Sequence, residues 1–123
     1  MEEERIKYNE LKEEERNSID KQLDNHLKSN TKLKISMHAV QRMGQRGIGF
    51  KHVKNLIRSK DYFIDSVTKN DNNICVSIIS KSPIRNKLHL KLVLCLTNYM
   101  IVTAMVKKLN KEEEENSNEY ERV

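Results

Sequence analysis

The stretch Ser36-Met-His-Ala-Val-Gln-Arg-Met-Gly-Gln-Arg-Gly-Ile48 opens on a residue that caps helices and closes on one that stops them. Ser36 carries a hydroxyl able to accept a hydrogen bond from a free backbone N–H two or three residues on. Gly47 stands just past the last turn, where a left-handed backbone is cheap only for glycine. Between them His38, Arg42 and Arg46 recur every four residues. On a helix of 3.6 residues per turn each such step advances about 40° around the axis, so the three share one slanting ridge. Ala39, Val40 and Met43 fall on an adjoining face that can pack inward. The spacing predicts a short helix with an imidazole and two guanidinium groups on its flank.

Working outward, Gly47-Ile48-Gly49 predicts a turn, and residues 50–59 a second helix with Phe50, Val53, Leu56 and Ile57 on its apolar face. Lys51, Lys54 and Arg58 repeat that spacing one residue later, as a basic stripe that is either a solvated face or a phosphate-facing one. After Lys60 the period changes to two. Strands are expected over 62–68, 74–80, 88–97 and 100–107. In the third, Leu88, Leu90, Leu92, Leu94 and Leu96 alternate onto one face, and His89, Lys91, Val93, Cys95 and Thr97 onto the other. In the fourth, Met100, Val102, Ala104 and Val106 oppose Ile101, Thr103, Met105 and Lys107. Residues 81–87 form a basic loop holding the one proline, Pro83. Short connections favour antiparallel neighbours. The expected fold class is therefore α+β: N-terminal helices packed on the leucine face of a four-stranded antiparallel β-sheet, its other face partly polar and open.

The 123 residues suffice for one domain, read here as a mixed-charge N-terminal helix (1–30), a basic α+β body (31–111) and an acidic, unstructured tail (112–123). Ile19, Leu23 and Leu27 would dock the first helix as a stripe. The overall charge of +5 hides a segregation: net −3 over residues 1–30, +13 over 31–111 and −5 over 112–123. Such a middle attracts polyanions, of which a nucleic acid is the commonest, although an acidic protein partner or the chain's own acidic ends would answer the same field. No apolar run approaches 20 residues, and Met-Glu-Glu-Glu-Arg is unlike a signal peptide; a cytoplasmic protein with no membrane partner is expected. Cys75 and Cys95, each inside an apolar stretch, read as small buried residues of a reducing compartment rather than a disulfide or metal framework. No acidic cluster suggests a metal, and no cofactor is expected.

Residues 38–48 resemble the motif HAxxRMxxRGI of a small bacterial and phage family, domain of unknown function 4258. The family's final strand resembles Ile-Val-Thr, matched by Ile101-Val102-Thr103, and the likeness covers roughly residues 35–107. The layout also resembles the small ribonuclease toxins of the barnase–colicin–RelE kind. The resemblance implies a metal-independent endoribonuclease, toxin-like and held in check by an antitoxin or immunity protein. RNA can be cleaved without metal through its own 2′-hydroxyl if a base, an acid and phosphate-holding cations are supplied. Histidine suits the proton transfers and arginine the phosphate. His38 is the expected proton carrier, Arg42 and Arg46 the phosphate clamp, Thr103 a hydroxyl donor and His89 a second proton carrier, with Tyr99 a further donor or stacking partner. Lys51, Lys54, Arg58, Arg85, Lys87, Lys91 and Lys107 are the expected nucleic-acid contacts. Each has a structural alternative: Arg46 can complement the helix C-terminal dipole, Arg42 can pair with Asp61 or Asp65, and His89 can be an ordinary strand residue. The competing expectations are a non-catalytic nucleic-acid-binding protein of a phage or mobile element, or an interaction protein that binds an acidic partner. The shortage of aromatics, four Tyr, two Phe and no Trp, argues against base-stacking sheets of the RRM or OB type.

Overall fold

The structure is a computed structural model that describes residues 4–28, 34–69, 73–98, 100–111 and 113–115; the side chains of residues 26–28, Leu27 among them, lie outside that description. In chain order the elements are β1 (Glu4–Lys7), a 3-10 turn (Tyr8–Glu10), α1 (Glu13–Lys28), β2 (Lys34–Ile35), α2 (Met37–Arg46), α3 (Phe50–Ser59), β3 (Tyr62–Lys69), β4 (Ile74–Ser80), β5 (His89–Cys95) and β6 (Met100–Lys107). No helix is long and apolar enough to cross a membrane among the described residues.

The α+β class holds, but the sheet has six strands in the order β1-β3-β4-β5-β6-β2, not four. The antiparallel meander β3–β6 is its centre. β1 adds antiparallel to β3, and β2 adds parallel to the outer edge of β6, so the sheet is mixed. Both additions come from charged segments with no strand signature of their own. β1 forms because Ile6 opposite Val67 extends the apolar face, while Arg5 reaches Asp65 and Ser66. Tertiary pairing outweighs local propensity there.

The leucine face is the core. Leu90, Leu92 and Leu94 are fully buried with Val67, Val76, Ile78, Ile101 and Ala104. Ile19 and Leu23 of α1, Ala39 and Met43 of α2, and Val53 and Leu56 of α3 close over them. A register shift between Val93 and Leu94 leaves Val102 as an extra residue on β6, so Ile101 pairs with Leu94 and joins the leucine face. The strict alternation expected for this strand, with Ile101 opposite Ala104, fails at that bulge. Bulges re-aim side chains, and a second one at Asp65 on β3 sends its carboxylate toward Arg5 and Lys91.

The second face is less open than expected, since Phe63 and Ile79 on it are fully buried. Cys75 and Cys95, expected as free thiols, are joined by a disulfide: they sit directly opposite on β4 and β5 with Cα atoms 4.1 Å apart. Strand register brings together two residues whose separate apolar contexts gave no sign of pairing.

The acidic tail begins as structure. Asn110 and Glu113 form a reciprocal cap: Glu113 N–H donates to Asn110 Oδ1 at 2.8 Å, and Asn110 N–H donates to Glu113 Oε1 at 3.0 Å. The other Glu113 oxygen accepts from Lys107 Nζ at 2.6 Å.

Candidate nucleic-acid interface

Helix α2 is fixed to the edge of β6 where β2 stops. Ser36 Oγ accepts from the Ala39 N–H at 3.0 Å, as an N-cap should, and donates to the Val102 carbonyl at 3.3 Å. The Ser36 N–H donates to the Ile101 carbonyl at 2.9 Å. Ala39 and Met43 then bury against the sheet. Near the other end, Arg46 donates to the Ala104 carbonyl at 2.7 Å. An edge strand exposes unpaired carbonyls; Arg46, expected on phosphate, satisfies one of them.

Gly47 ends α2 with φ 66° and its N–H donating to the Met43 carbonyl. Arg85 completes this end. Asn86 and Lys87 both have positive φ, which makes residues 85–88 a tight two-residue hairpin loop. That loop aims the Arg85 guanidinium at α2, where it donates to the carbonyls of Arg46 at 2.5 Å and Gly47 at 2.8 Å. A cation on the last carbonyls of a helix complements its dipole. Arg85 is thus a clamp between the β4–β5 loop and α2.

The remaining expected catalytic groups are not gathered around His38. His89 is buried and its Nδ1 donates to the Ser80 carbonyl at 2.8 Å, a bond that fixes the proton on that nitrogen. It pairs with Lys107, five residues along β6 from Val102, where Ser36 holds the start of α2. At about 3.3 Å per strand residue that is roughly 16 Å along the strand. Thr103 pairs with Val93, on the sheet face away from α2. Tyr99 lies outside the described residues.

The basic residues divide by surface. Four cations on the strands face carboxylates: Arg5 and Lys91 meet Asp65 at 3.3 and 3.6 Å, Lys107 meets Glu113, and Lys69 meets Glu15 at 2.8 Å, whereas Lys34 on the short edge strand β2 is exposed without one among the described residues. The Lys69 ammonium, by hydrogen bond and charge, holds the Glu15 carboxyl below its ordinary value. The helix surface differs. Residues 37–60 hold six Lys and Arg and no Asp or Glu. The side chains of His38, Lys51, Lys54 and Arg58 make no hydrogen bond or ion pair among the described residues, and that of Arg42 makes only a 3.4 Å contact to Gln45. Lys60, just past the end of α3, meets Asp24 at 3.8 Å, and Arg46 is partly covered; the others project from the outer sides of two helices that bury their inner sides in one sheet face. Lys87, in the hairpin loop, is exposed as well.

Sequence reasoning missed one residue of this surface. Phe50, expected in the core, is 52% exposed beside Lys51 and Lys54. It satisfies the helical spacing of Val53 and Leu56, but as the first residue of α3 it precedes the turn that meets the sheet. Met37, next to His38, is 76% exposed. No family model, curated protein or solved structure matches the chain.

Proposed function

We propose that this chain binds RNA through the outer surface of α2 and α3. The observation that carries this reading is three exposed cations at helical spacing on one face of α3: Lys51, Lys54 and Arg58 have no partner among the described residues, whereas Arg5, Lys69, Lys91 and Lys107 on the sheet are paired with carboxylates. Unpaired cations on one surface attract a phosphate backbone and release its counterions on contact. Phe50 gives that surface an aromatic ring on which an unpaired base can stack. A Phe50→Ala variant is expected to keep its thermal stability and to lose about 1–2 kcal/mol of affinity for single-stranded RNA, since base stacking on an aromatic is worth that much. Fluorescence anisotropy beside a melting curve checks both; a drop in melting temperature without a change in affinity would return Phe50 to the core.

The second reading is cleavage of the bound RNA, as the likeness of residues 38–48 to domain of unknown function 4258 and to the barnase–colicin–RelE toxins implies. It is favoured by His38, whose imidazole is exposed and unpartnered one turn before Arg42. In this reading His38 takes the proton of the 2′-hydroxyl, Arg42 holds the phosphate oxygens, and the attack leaves a 2′,3′-cyclic phosphate and a 5′-hydroxyl. The arrangement supplies one imidazole there, so water is the other proton carrier. With end-labelled RNA in EDTA, wild type is expected to cut and His38→Ala to lose at least 100-fold in rate while keeping its affinity, the usual worth of a general base. Intact RNA with wild-type protein at saturating binding leaves a binding protein alone.

A further inference from the structure

A groove of about 510 Å³ opens between α3 and the β4–β5 loop, against 170 and 220 Å³ for two other clefts of the molecule. That is the size of a small-molecule site. Its apolar lining includes Leu56 and Pro83, and its polar lining includes His52, Asn55, Arg58 and Asp61. The side chains of Asn55, Arg58 and Asp61 have no hydrogen-bond or ion-pair partner among the described residues. Asp61 is held by its main chain instead: its N–H donates to Ser59 Oγ and its carbonyl accepts from the Lys81 N–H. Its carboxylate is therefore positioned but unused. His52 is oriented too. The Gly49 N–H donates to His52 Nδ1 at 3.0 Å, which leaves the proton of the neutral ring on Nε2 as a donor.

We infer that this groove is a base-reading subsite that takes a guanine from the RNA held on α3. The inference rests on the RNA-binding reading above and adds sequence preference to it. The two oxygens of a carboxylate accept side by side from the adjacent N1–H and N2–H donors of guanine, a bidentate pattern that uracil cannot offer. The Asn55 amide can donate to the guanine carbonyl oxygen. Leu56 and Pro83 give the ring apolar contact, and Arg58, which lines the groove and belongs to the basic stripe, reaches the attached phosphate. Single-stranded RNA is read in this manner, with bases splayed from the strand and bonded along their Watson–Crick edges.

The test uses the full chain, its Asp61→Asn variant and two probes. Short oligouridine and the same strand with one central guanosine are compared by fluorescence anisotropy. Guanosine and uridine 5′-monophosphates are compared by amide chemical shifts. A bidentate contact discriminates by about tenfold, so the guanosine strand should bind wild type about tenfold more tightly, and Asp61→Asn should erase the difference while still binding both. Guanosine monophosphate should shift amides around residues 55–61, and uridine monophosphate should not. Equal binding of the two strands, or a guanosine preference that survives in Asp61→Asn, overturns the subsite and leaves the interface standing. Absence of strand binding with guanosine monophosphate still shifting the groove keeps a nucleotide site and removes the RNA reading. Failure of both probes removes both.

Discussion

Replacing Lys51, Lys54 and Arg58 together by alanine is expected to lower RNA affinity about 100-fold at roughly 0.1 M salt and to flatten the salt dependence by about two logarithmic units. Each phosphate neutralised on a single strand contributes about 0.7 to the slope of log K against log salt, so three contacts give about two. All three side chains are exposed and none pairs with a described residue, so their loss leaves the buried face of α3, Val53 and Leu56, intact. Alanine is also the best helix former, and the variant should melt where wild type does. A matched charge removal at Lys69, Lys91 and Lys107 should do far less to binding, because those ammonium groups already face Glu15, Asp65 and Glu113. If the two triple variants lose affinity and slope alike, attraction is a matter of net charge and the helix surface is no specific interface.

Gly47→Ala is expected to destabilise the protein by about 2–3 kcal/mol. A left-handed backbone costs a non-glycine residue about 1–2 kcal/mol, and Gly47 has φ 66°. The added Cβ would also lie 3.2 Å from both terminal nitrogens of Arg85. Moving that guanidinium weakens its bonds to the carbonyls of Arg46 and Gly47, charge-assisted contacts that are worth up to about 1–2 kcal/mol where partly exposed. In an Arg85→Ala background the same change should cost only the backbone share, so a double-mutant cycle followed by urea unfolding separates the two. Gly44 is the internal contrast. It is exposed within α2 and an added Cβ meets nothing within 4 Å, so Gly44→Ala should stabilise by about 0.5–1 kcal/mol. An unchanged cost of Gly47→Ala in the Arg85→Ala background would mean that the Arg85 clamp does not hold the end of α2.

The arginine and glycine at the end of the 38–48 motif therefore carry structural duties. Arg46 closes a carbonyl on the β6 edge, and Gly47 makes room for Arg85. The front of the motif, His38 and Arg42, is left exposed and available to a ligand.

The two short helices, with Ser36 as cap and Gly47 as stop, and the central meander with its leucine face were legible in the chain before any folding. Those features rest on local chemistry: a hydroxyl two or three residues from a free N–H, a residue without Cβ at positive φ, and side chains alternating every second residue. The sequence also showed a basic body between acidic ends. The remaining features depend on which strands lie side by side, which no local pattern fixes. Register joined Cys75 to Cys95, slipped at Val102 to turn Ile101 inward, and brought the charged segments 4–7 and 34–35 onto the sheet as edge strands. It set His89 far along the sheet from His38. It gave Lys91 and Lys107 carboxylate partners distant in the chain or folded back from the tail, and it assigned Arg85 to a helix end 38 residues earlier. Charge counts along a chain cannot separate a paired cation from an unpaired one. That separation is geometric, and it leaves Lys51, Lys54 and Arg58 on the outer side of α3 without a carboxylate partner among the described residues.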